Sequence, residues 1–146
     1  MAVNRRAANG RITDTAVWRL LDANVNRARE GLRIVEDTAR FILNKPKAAK
    51  DFRVMRHELD ALARIHYRTL LAARNVDQDS GKTNRASGYQ GNIQALLAAN
   101  FKRCEEALRV VEEYGRILSP RTVEKAQRLR FKIYHWEKTL SRCDNE

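Results

Sequence analysis

The chain has 146 residues, 43% of them hydrophobic, and only two prolines, which indicates one folded domain and excludes a disordered chain. Its formal net charge of +11 predicts an anionic partner such as a phosphorylated small molecule, nucleic acid or an acidic membrane surface. No apolar run is long enough to span a membrane, no signal-peptide stretch is present, and two cysteines are too few for a disulfide scaffold, so we expect a cytoplasmic protein.

Residues 1–12 show no apolar periodicity, and we expect them to form a flexible N-terminal tail. Thr13 or Asp14 can cap a first helix that ends near Leu43. The proline that follows suits the first turn of a second helix, over about 46–73, in which apolar residues recur at steps of three and four.

The segment 74–90 is polar and contains glycines, so it predicts a loop that connects two halves of the chain. A third helix is expected to begin near Ser87. Ser119, with the proline after it, signals the start of a fourth helix that ends near Cys143. No segment has the two-residue alternation of a β-strand, so the sequence predicts an all-α fold.

Two segments of the chain, 23–40 and 99–116, repeat each other at an offset of 76 residues. The helices that follow them also align, more weakly and at an offset of 74. The repeating unit is thus a helical hairpin, over about 13–73 and about 91–143. Two such hairpins predict a single domain over 13–143, an antiparallel four-helix bundle with pseudo-twofold symmetry. Nine of eighteen aligned positions are identical, and six of these are polar: Asn24/Asn100, Arg27/Arg103, Glu30/Glu106, Arg33/Arg109, Glu36/Glu112 and Arg40/Arg116.

Asn24 and Asn100 fall at the centre of apolar stripes when residues are placed about 100° apart around a helix. A buried carboxamide without hydrogen bonds costs about 1–3 kcal/mol, so each amide needs partners. Two interpretations stay open. The asparagines satisfy each other or fix the helix register, or they face a ligand at the bundle axis.

Arginine and glutamate alternate at steps of three residues in both copies, beginning at Arg27 and Arg103. Such charges can form weak surface ion pairs, but exposed pairs have no need to keep the same residues in two copies. Because arginines bind phosphate oxygens and carboxylates hold magnesium, the pattern also predicts a site for a metal–phosphate ligand. The loop would add a metal ligand and a mobile cover through Asp77, Asp79, Gly81 and Arg85.

A family resemblance is carried by five stretches, LLDANVNRAREGLRIVEDTARFIL, MRHEL, ARNVDQDSG, LLAANFKRCEEALRVVEEYGRIL and RLRFKIYHWEK. Together they resemble a helical domain of bacterial thiamin biosynthesis. That domain occurs alone or fused ahead of thiamin phosphate synthase, and is often labelled thiamin-phosphate pyrophosphorylase after its fusion partner. The resemblance covers about residues 16–140, and the chain lacks the length for the synthase's eight-stranded barrel.

This resemblance implies hydroxymethylpyrimidine phosphate kinase activity, with ATP as co-substrate and Mg²⁺ as cofactor. The family takes the monophosphate rather than the free alcohol. Asp79, Gly81 and Arg85 match the family's loop. Asn75 and Ser80 depart from it by replacing an aspartate and a valine, which removes one carboxylate that would bind a metal.

The resemblance also implies roles for the repeated residues in phosphoryl transfer. Arg27 and Arg103 would hold the phosphates of donor and acceptor, and Arg33 and Arg109 lie further round their helices. One copy would face the nucleotide and the other the pyrimidine phosphate. The remaining predicted residues are Glu30, Glu106 and Asp79 as metal ligands, Asn24 and Asn100 at the pyrimidine edge or a phosphate, and Glu36, Glu112, Gly81 and Arg85 in substrate binding.

Other function classes stay open at this point. The domain could be a non-catalytic module that binds a phosphorylated ligand or delivers the pyrimidine to a synthase partner. A chorismate-mutase-like helical enzyme would also use arginines, without ATP or magnesium. Nucleic-acid binding is disfavoured because the basic residues alternate with glutamates. Apolar surface on the second and fourth helices would allow a homodimer.

Overall fold

The computed structural model describes residues 14–83, 88, 91–118 and 120–141, and within these ranges the regular structure is entirely helical. The predicted all-α class is therefore confirmed for the described residues. The expected tail over 1–12 and the residues Ser87, Ser119 and Cys143 lie outside them. The helices are α1 (Asp14–Asp37), α2 (Pro46–Ile65), α3 (Tyr67–Ala73), α4 (Ile93–Leu118) and α5 (Pro120–Ser141), with a π-helical turn over Thr38–Ile42 and a 3₁₀ turn over Ser80–Thr83.

The first helix ends close to the residue that the sequence indicates, by way of the π-helical turn. The hydroxyl of Thr38 donates a hydrogen bond to the carbonyl of Ile34 at 2.7 Å. Asn44 then adopts a left-handed backbone with φ of 51°, a conformation that asparagine tolerates better than most residues. The chain is thereby turned into α2, which begins at Pro46.

The second predicted helix is broken where the sequence predicts continuity. Its helical hydrogen bonding stops at Ile65, and His66 takes φ −114° and ψ 16° before α3 begins at Tyr67. The break lets the His66 ring pack on the Trp18 ring of α1, with centroids 4.8 Å apart. Tertiary packing here overrides the apolar periodicity that runs through both segments.

The start of α4 lies later than the expected position near Ser87. The helix begins at Ile93, and the side-chain oxygen of Asn92 accepts a hydrogen bond from the amide of Ala95 at 3.0 Å. Asn92 therefore acts as the N-terminal cap.

Helices α1 and α4 cross closely and run antiparallel. The Cys104 thiol lies 3.6 Å from the carbonyl oxygen of Ala28, to which it donates a hydrogen bond. Further along α1, Gly31 lies against Cys104 and Asn100, so moving forward on α1 means moving backward on α4. Ala28 and Cys104 are equivalent positions of the repeat, and the two copies thus meet at the same point of each.

Helices α2 and α5 pack on α1 and α4, and apolar side chains fill the space between the four long helices. The ring of Phe52 lies 5.9 Å from that of Phe101 and 5.7 Å from that of Trp136, which joins α2, α4 and α5. Leu32 and Leu108, an equivalent pair, are fully buried. In the part of the chain that the structure describes, none of the helices has both the length and the apolar character that crossing a membrane requires.

Candidate functional site

A cleft of about 520 Å³ runs along the seam between α1 and α4. Its walls come from these two helices alone, so it opens on the side of the pair away from α2 and α5. One of the two open interpretations placed a ligand at the bundle axis, but apolar core side chains fill that space. All ten lining residues form pairs at the repeat offset of 76: Asn24 and Asn100, Arg27 and Arg103, Glu30 and Glu106, Gly31 and Ala107, Ile34 and Val110.

The antiparallel crossing divides this cleft into two equivalent halves. Because Gly31 lies against Asn100, the Asn100 half also contains the glutamate and the aliphatic residue of copy one, Glu30 and Ile34. The other half combines the asparagine of copy one with the glutamate and valine of copy two. Arg27 and Arg103 adjoin the crossing point in sequence, so they lie toward the middle.

The two asparagines are buried at the floor of the cleft, with 5% and 1% exposure for Asn24 and Asn100. Each amide donates a hydrogen bond to the carbonyl four residues earlier in its own helix, at 2.9 Å from Asn24 and 2.8 Å from Asn100. The two side chains therefore bond within their own helices and not to each other. The oxygen of Asn24 accepts a hydrogen bond from Arg27 at 3.4 Å, whereas that of Asn100 has no partner among the described residues.

The charged side chains of the cleft are free of structural ion pairs. Glu30, Arg103 and Glu106 form no hydrogen bond or ion pair with any residue that the structure describes, and Arg27 bonds to Asn24. Surface ion pairs elsewhere on the same helices are numerous, so this lack of partners sets the cleft apart. Two guanidinium groups and two carboxylates here remain available to a ligand.

Arg33 and Arg109, which the sequence analysis placed among the catalytic residues, do not line the cleft. Arg33 forms an ion pair with Asp37 at 3.2 Å, and Arg109 forms one with Glu113 at 2.9 Å. Their side chains are 57% and 53% exposed. The three-residue step carries them past the cleft onto the outer surface, where they act as solvated ion-pair partners.

Glu36 and Glu112, predicted to bind substrate, instead join the two helices of each hairpin. Glu36 accepts a hydrogen bond from Arg56 at 2.8 Å, and Glu112 accepts one from Arg130 at 3.0 Å. The hydrogen bond to Glu36 raises the pKa of Arg56 above its ordinary value despite burial. Both glutamates are almost fully buried, so their repetition serves the fold.

Arg56 and Arg130 are functional partners of the buried glutamates that were not predicted from the sequence. A signal was present, because these arginines align with each other at an offset of 74 while the glutamates align at 76. Gly31, Ile34, Ala107 and Val110 were also missed. These cleft positions are equivalent between the copies but not identical.

The loop residues Asp79 and Gly81 lie together in an exposed turn. The amide of Gly81 donates a hydrogen bond to the side chain of Asp79 at 2.8 Å. Two arginines tie the start of this loop to α1: Arg74 donates two hydrogen bonds of 2.8 Å to Asp22, and Arg19 donates one of 3.0 Å to the carbonyl of Asn75. Arg85 lies outside the described residues.

The predicted three-carboxylate metal set is not assembled. Across the described ranges, no group of three or more His, Cys, Asp or Glu side chains is positioned to hold a metal ion, so Asp79 does not join Glu30 and Glu106. The cleft glutamates still suit Mg²⁺, which is usually held by one or two carboxylates together with substrate phosphates and water.

Cys104 is part of the core and not a nucleophile. Burial, with a smaller contribution from Glu105, raises the pKa of its thiol to about 12. A thiol that stays protonated at neutral pH reacts poorly, so Cys104 serves as a buried packing residue between helices.

Fold and cleft define a class of protein, one whose described regular structure is helical and in which both copies of an internal repeat contribute to one charged cleft. The chain belongs to the ThiD2 family, whose model matches residues 19–139. It is similar to the thiamine-phosphate synthase of Nostoc sp., with 42% identity over 85% of this chain and 35% of the relative. It is also similar to the thiamine-phosphate synthase of Synechocystis sp., with 43% identity over 86% of this chain and 36% of the relative. The chain spans about a third of the length of these curated relatives, and no solved structure matches it.

Proposed function

We propose that this chain phosphorylates hydroxymethylpyrimidine phosphate to the diphosphate with ATP, as a step of thiamin biosynthesis in the cytoplasm. Membership of the ThiD2 family and similarity to proteins named thiamine-phosphate synthase support the pathway. The observation that carries the reaction type is the cleft between α1 and α4, in which both copies of the repeat present arginine and glutamate side chains that form no ion pair with the described residues.

Phosphoryl transfer needs positioned positive charge more than covalent chemistry. Arg27 and Arg103 hold the phosphates of both substrates near the middle of the cleft. An ionised oxygen of the acceptor phosphate forms a bond to the terminal phosphorus of ATP while the bond to the β-phosphate oxygen breaks, and ADP leaves. No general base is required. Glu30 and Glu106 would hold Mg²⁺, which neutralises phosphate charge when it is bound.

The architecture that we propose for this chain is an antiparallel four-helix bundle of two hairpins related by a pseudo-twofold axis at Ala28 and Cys104. Matching contacts in the two hairpins support it. The glutamate–arginine pairs repeat, the asparagine amides repeat, and all ten cleft residues form matched pairs.

ADP release from the purified chain, with the pyrimidine monophosphate, ATP and Mg²⁺, tests the reaction. We expect Arg103→Ala and Arg27→Ala to lower turnover by about tenfold or more, because each removes a charge from the transferring group. Arg109→Ala and Arg33→Ala are matched controls, being arginines of the same repeat in surface ion pairs. They should keep turnover within about twofold, since exposed pairs contribute little.

Equal losses of turnover in the cleft variants and the control variants would show that the cleft takes no part in the reaction. Chelation of Mg²⁺ should abolish ADP release in the wild-type chain. ADP release that persists without a divalent cation would contradict the roles of Glu30 and Glu106.

A second candidate function is a non-catalytic module that binds the phosphorylated pyrimidine for a synthase partner. The observation that favours it is length, since the relatives named for the synthase reaction are about three times as long as the matched region. Exposed apolar side chains on α2 and α5, such as Val54 and Phe131, would suit contact with that partner or with a second copy. Calorimetric binding of the monophosphate with no ADP release would favour the module over the kinase.

A further inference from the structure

The two asparagines at the floor of the cleft are equivalent in sequence but differ in bonding. Given the proposed kinase function, on which this inference rests, we propose that Asn100 reads the amino-substituted ring of the pyrimidine phosphate, whereas Asn24 positions the guanidinium of Arg27. The repeat has thereby given one residue type two tasks, one in each half of the cleft.

The unused hydrogen-bonding capacity of Asn100 supports the proposal that this residue recognises the pyrimidine ring. A carboxamide has two N–H donors and one oxygen acceptor. Asn100 donates one hydrogen bond to the carbonyl of Leu96 at 2.8 Å, and its oxygen is buried with no partner among the described residues. An acceptor beside a free donor complements an amino group next to a ring nitrogen, as in the pairing of asparagine with adenine.

The acceptor substrate is the one that needs such a reader. Phosphate contacts to Arg27 and Arg103 would admit any phosphomonoester, so the identity of the acceptor must be read from its ring. ATP, in contrast, offers a triphosphate to the same charges. Gly31 and Ile34 give the Asn100 half an apolar wall against which a small ring can lie. A buried polar group that is left unpaired by the wrong ring is a strong source of discrimination.

Asn24 differs because its oxygen is already engaged. It accepts a hydrogen bond from Arg27 at 3.4 Å, and its amide is bonded to the carbonyl of Leu20 at 2.9 Å. This contact fixes the guanidinium where it adjoins the crossing of α1 and α4. Asn24 is thus a positioning residue that acts on phosphate transfer through Arg27.

The test compares Asn100→Leu with Asn24→Leu in the full chain. Calorimetry without ATP measures affinity for the pyrimidine monophosphate, and steady-state kinetics measure KM and kcat. We expect Asn100→Leu to weaken monophosphate binding about tenfold to hundredfold, the effect of losing one or two buried hydrogen bonds, with little change in the KM for ATP. Asn24→Leu should lower kcat and weaken monophosphate binding less than Asn100→Leu does, because it acts only through the position of Arg27.

A second arm uses an analogue with hydrogen in place of the amino group. The wild-type chain should bind it more weakly than the natural monophosphate, and Asn100→Leu should bind the two alike. A merely structural role would not produce this loss of discrimination. Asn100→Ser keeps a hydroxyl that can bond the carbonyl of Leu96, so it preserves the helix if the leucine variant fails to fold.

The outcomes distinguish failure of the ring-reading role from failure of the proposed kinase function. ADP release by the wild-type chain together with unchanged discrimination in Asn100→Leu and Asn100→Ser would overturn the ring-reading role and leave the kinase standing. If no ADP is released but discrimination between the two monophosphates depends on Asn100, the kinase proposal is overturned and the ring-reading role is supported within a binding module.

Discussion

Residues of one type, repeated at one spacing, serve different purposes because their neighbours differ. Glu30 and Glu106 line the cleft without a partner among the described residues, while Glu36 and Glu112, six positions further on, are buried against arginines of the next helix. Each step of three residues rotates a side chain by about 60° on the helix surface. Two steps therefore carry a carboxylate from the ligand side of α1 or α4 to the seam with α2 or α5.

The small residues where α1 crosses α4 show compensation between the two copies. In one half Gly31 faces Cys104, and the equivalent positions in the other half are Ala107 and Ala28. A Cβ placed on Gly31 would lie 2.6 Å from the Cys104 sulfur and 3.3 Å from the carbonyl oxygen of Asn100. The larger cysteine on one helix thus requires the glycine on the other.

We therefore expect Gly31→Ala to lower the free energy of unfolding. Overpacking costs about 1–3 kcal/mol, and the better helix propensity of alanine returns about 1 kcal/mol. Cys104→Ala in the same chain should recover most of the loss, because it reproduces the alanine pair of the other half. Urea denaturation of both single variants and the double variant checks this coupling, and strictly additive effects would show that the glycine has another cause.

At the scale of helices, α4 and α5 share a charged cluster built from residue types that differ from those at the equivalent positions of the first hairpin, Asn26, Arg29 and Ala63. The ammonium of Lys102 lies 3.1 Å from both Glu105 and Glu137. Burial, then a hydrogen bond with Glu137, raises the pKa of Glu105 to about 7. Burial opposes ionisation of Glu137 as well, but its bonds with Glu105 and Lys102 lower its pKa.

This cluster predicts that the second hairpin loses stability as the pH rises. In the folded chain Glu105 keeps its proton up to a pKa of about 7, whereas in the unfolded chain it releases it near its ordinary value of 4.5. The folded state binds more protons in that interval, so the contribution is complete below pH 4.5 and is lost by about pH 7. Glu105→Gln cannot ionise and should flatten the pH dependence of unfolding over this interval. An unchanged slope in that variant would show that Glu105 ionises normally.

The repeat explains why much of this fold was predictable from the sequence. A doubled pattern indicates each helix twice, and the sequence predicts six of the ten cleft residues, the asparagine, arginine and glutamate of both copies. Long-range geometry was not predictable in the same way. The break at His66 depends on a contact with Trp18, some fifty positions away in the chain. The side of the α1–α4 pair on which the charges gather depends on the close approach at Gly31.

At the scale of the whole molecule, positive charge is in excess while the cleft is balanced. The chain has 29 lysines and arginines against 18 aspartates and glutamates. The cleft itself holds two arginines and two glutamates. Many other arginines, including Arg33 and Arg109, are neutralised in pairs. Under the proposed function, the net positive charge of the whole molecule would attract a phosphorylated substrate from a distance, and the cleft arginines would bind its phosphates at short range.

The difference between long-range attraction and short-range phosphate binding predicts how salt affects turnover. At about 0.1 M ionic strength, charges more than about 10 Å apart are largely screened, so added salt should weaken the long-range attraction first. We expect the KM for the pyrimidine phosphate to rise severalfold between low and moderate salt, with kcat little changed because bound phosphates are gripped at short range. Arg128→Glu, an exposed change on α5 outside the cleft, should raise the KM at low salt and reduce its salt dependence, again without loss of kcat. Loss of kcat with salt at constant KM would mean that the cleft charges are themselves open to screening, which would place the transferred phosphate outside the seam between α1 and α4.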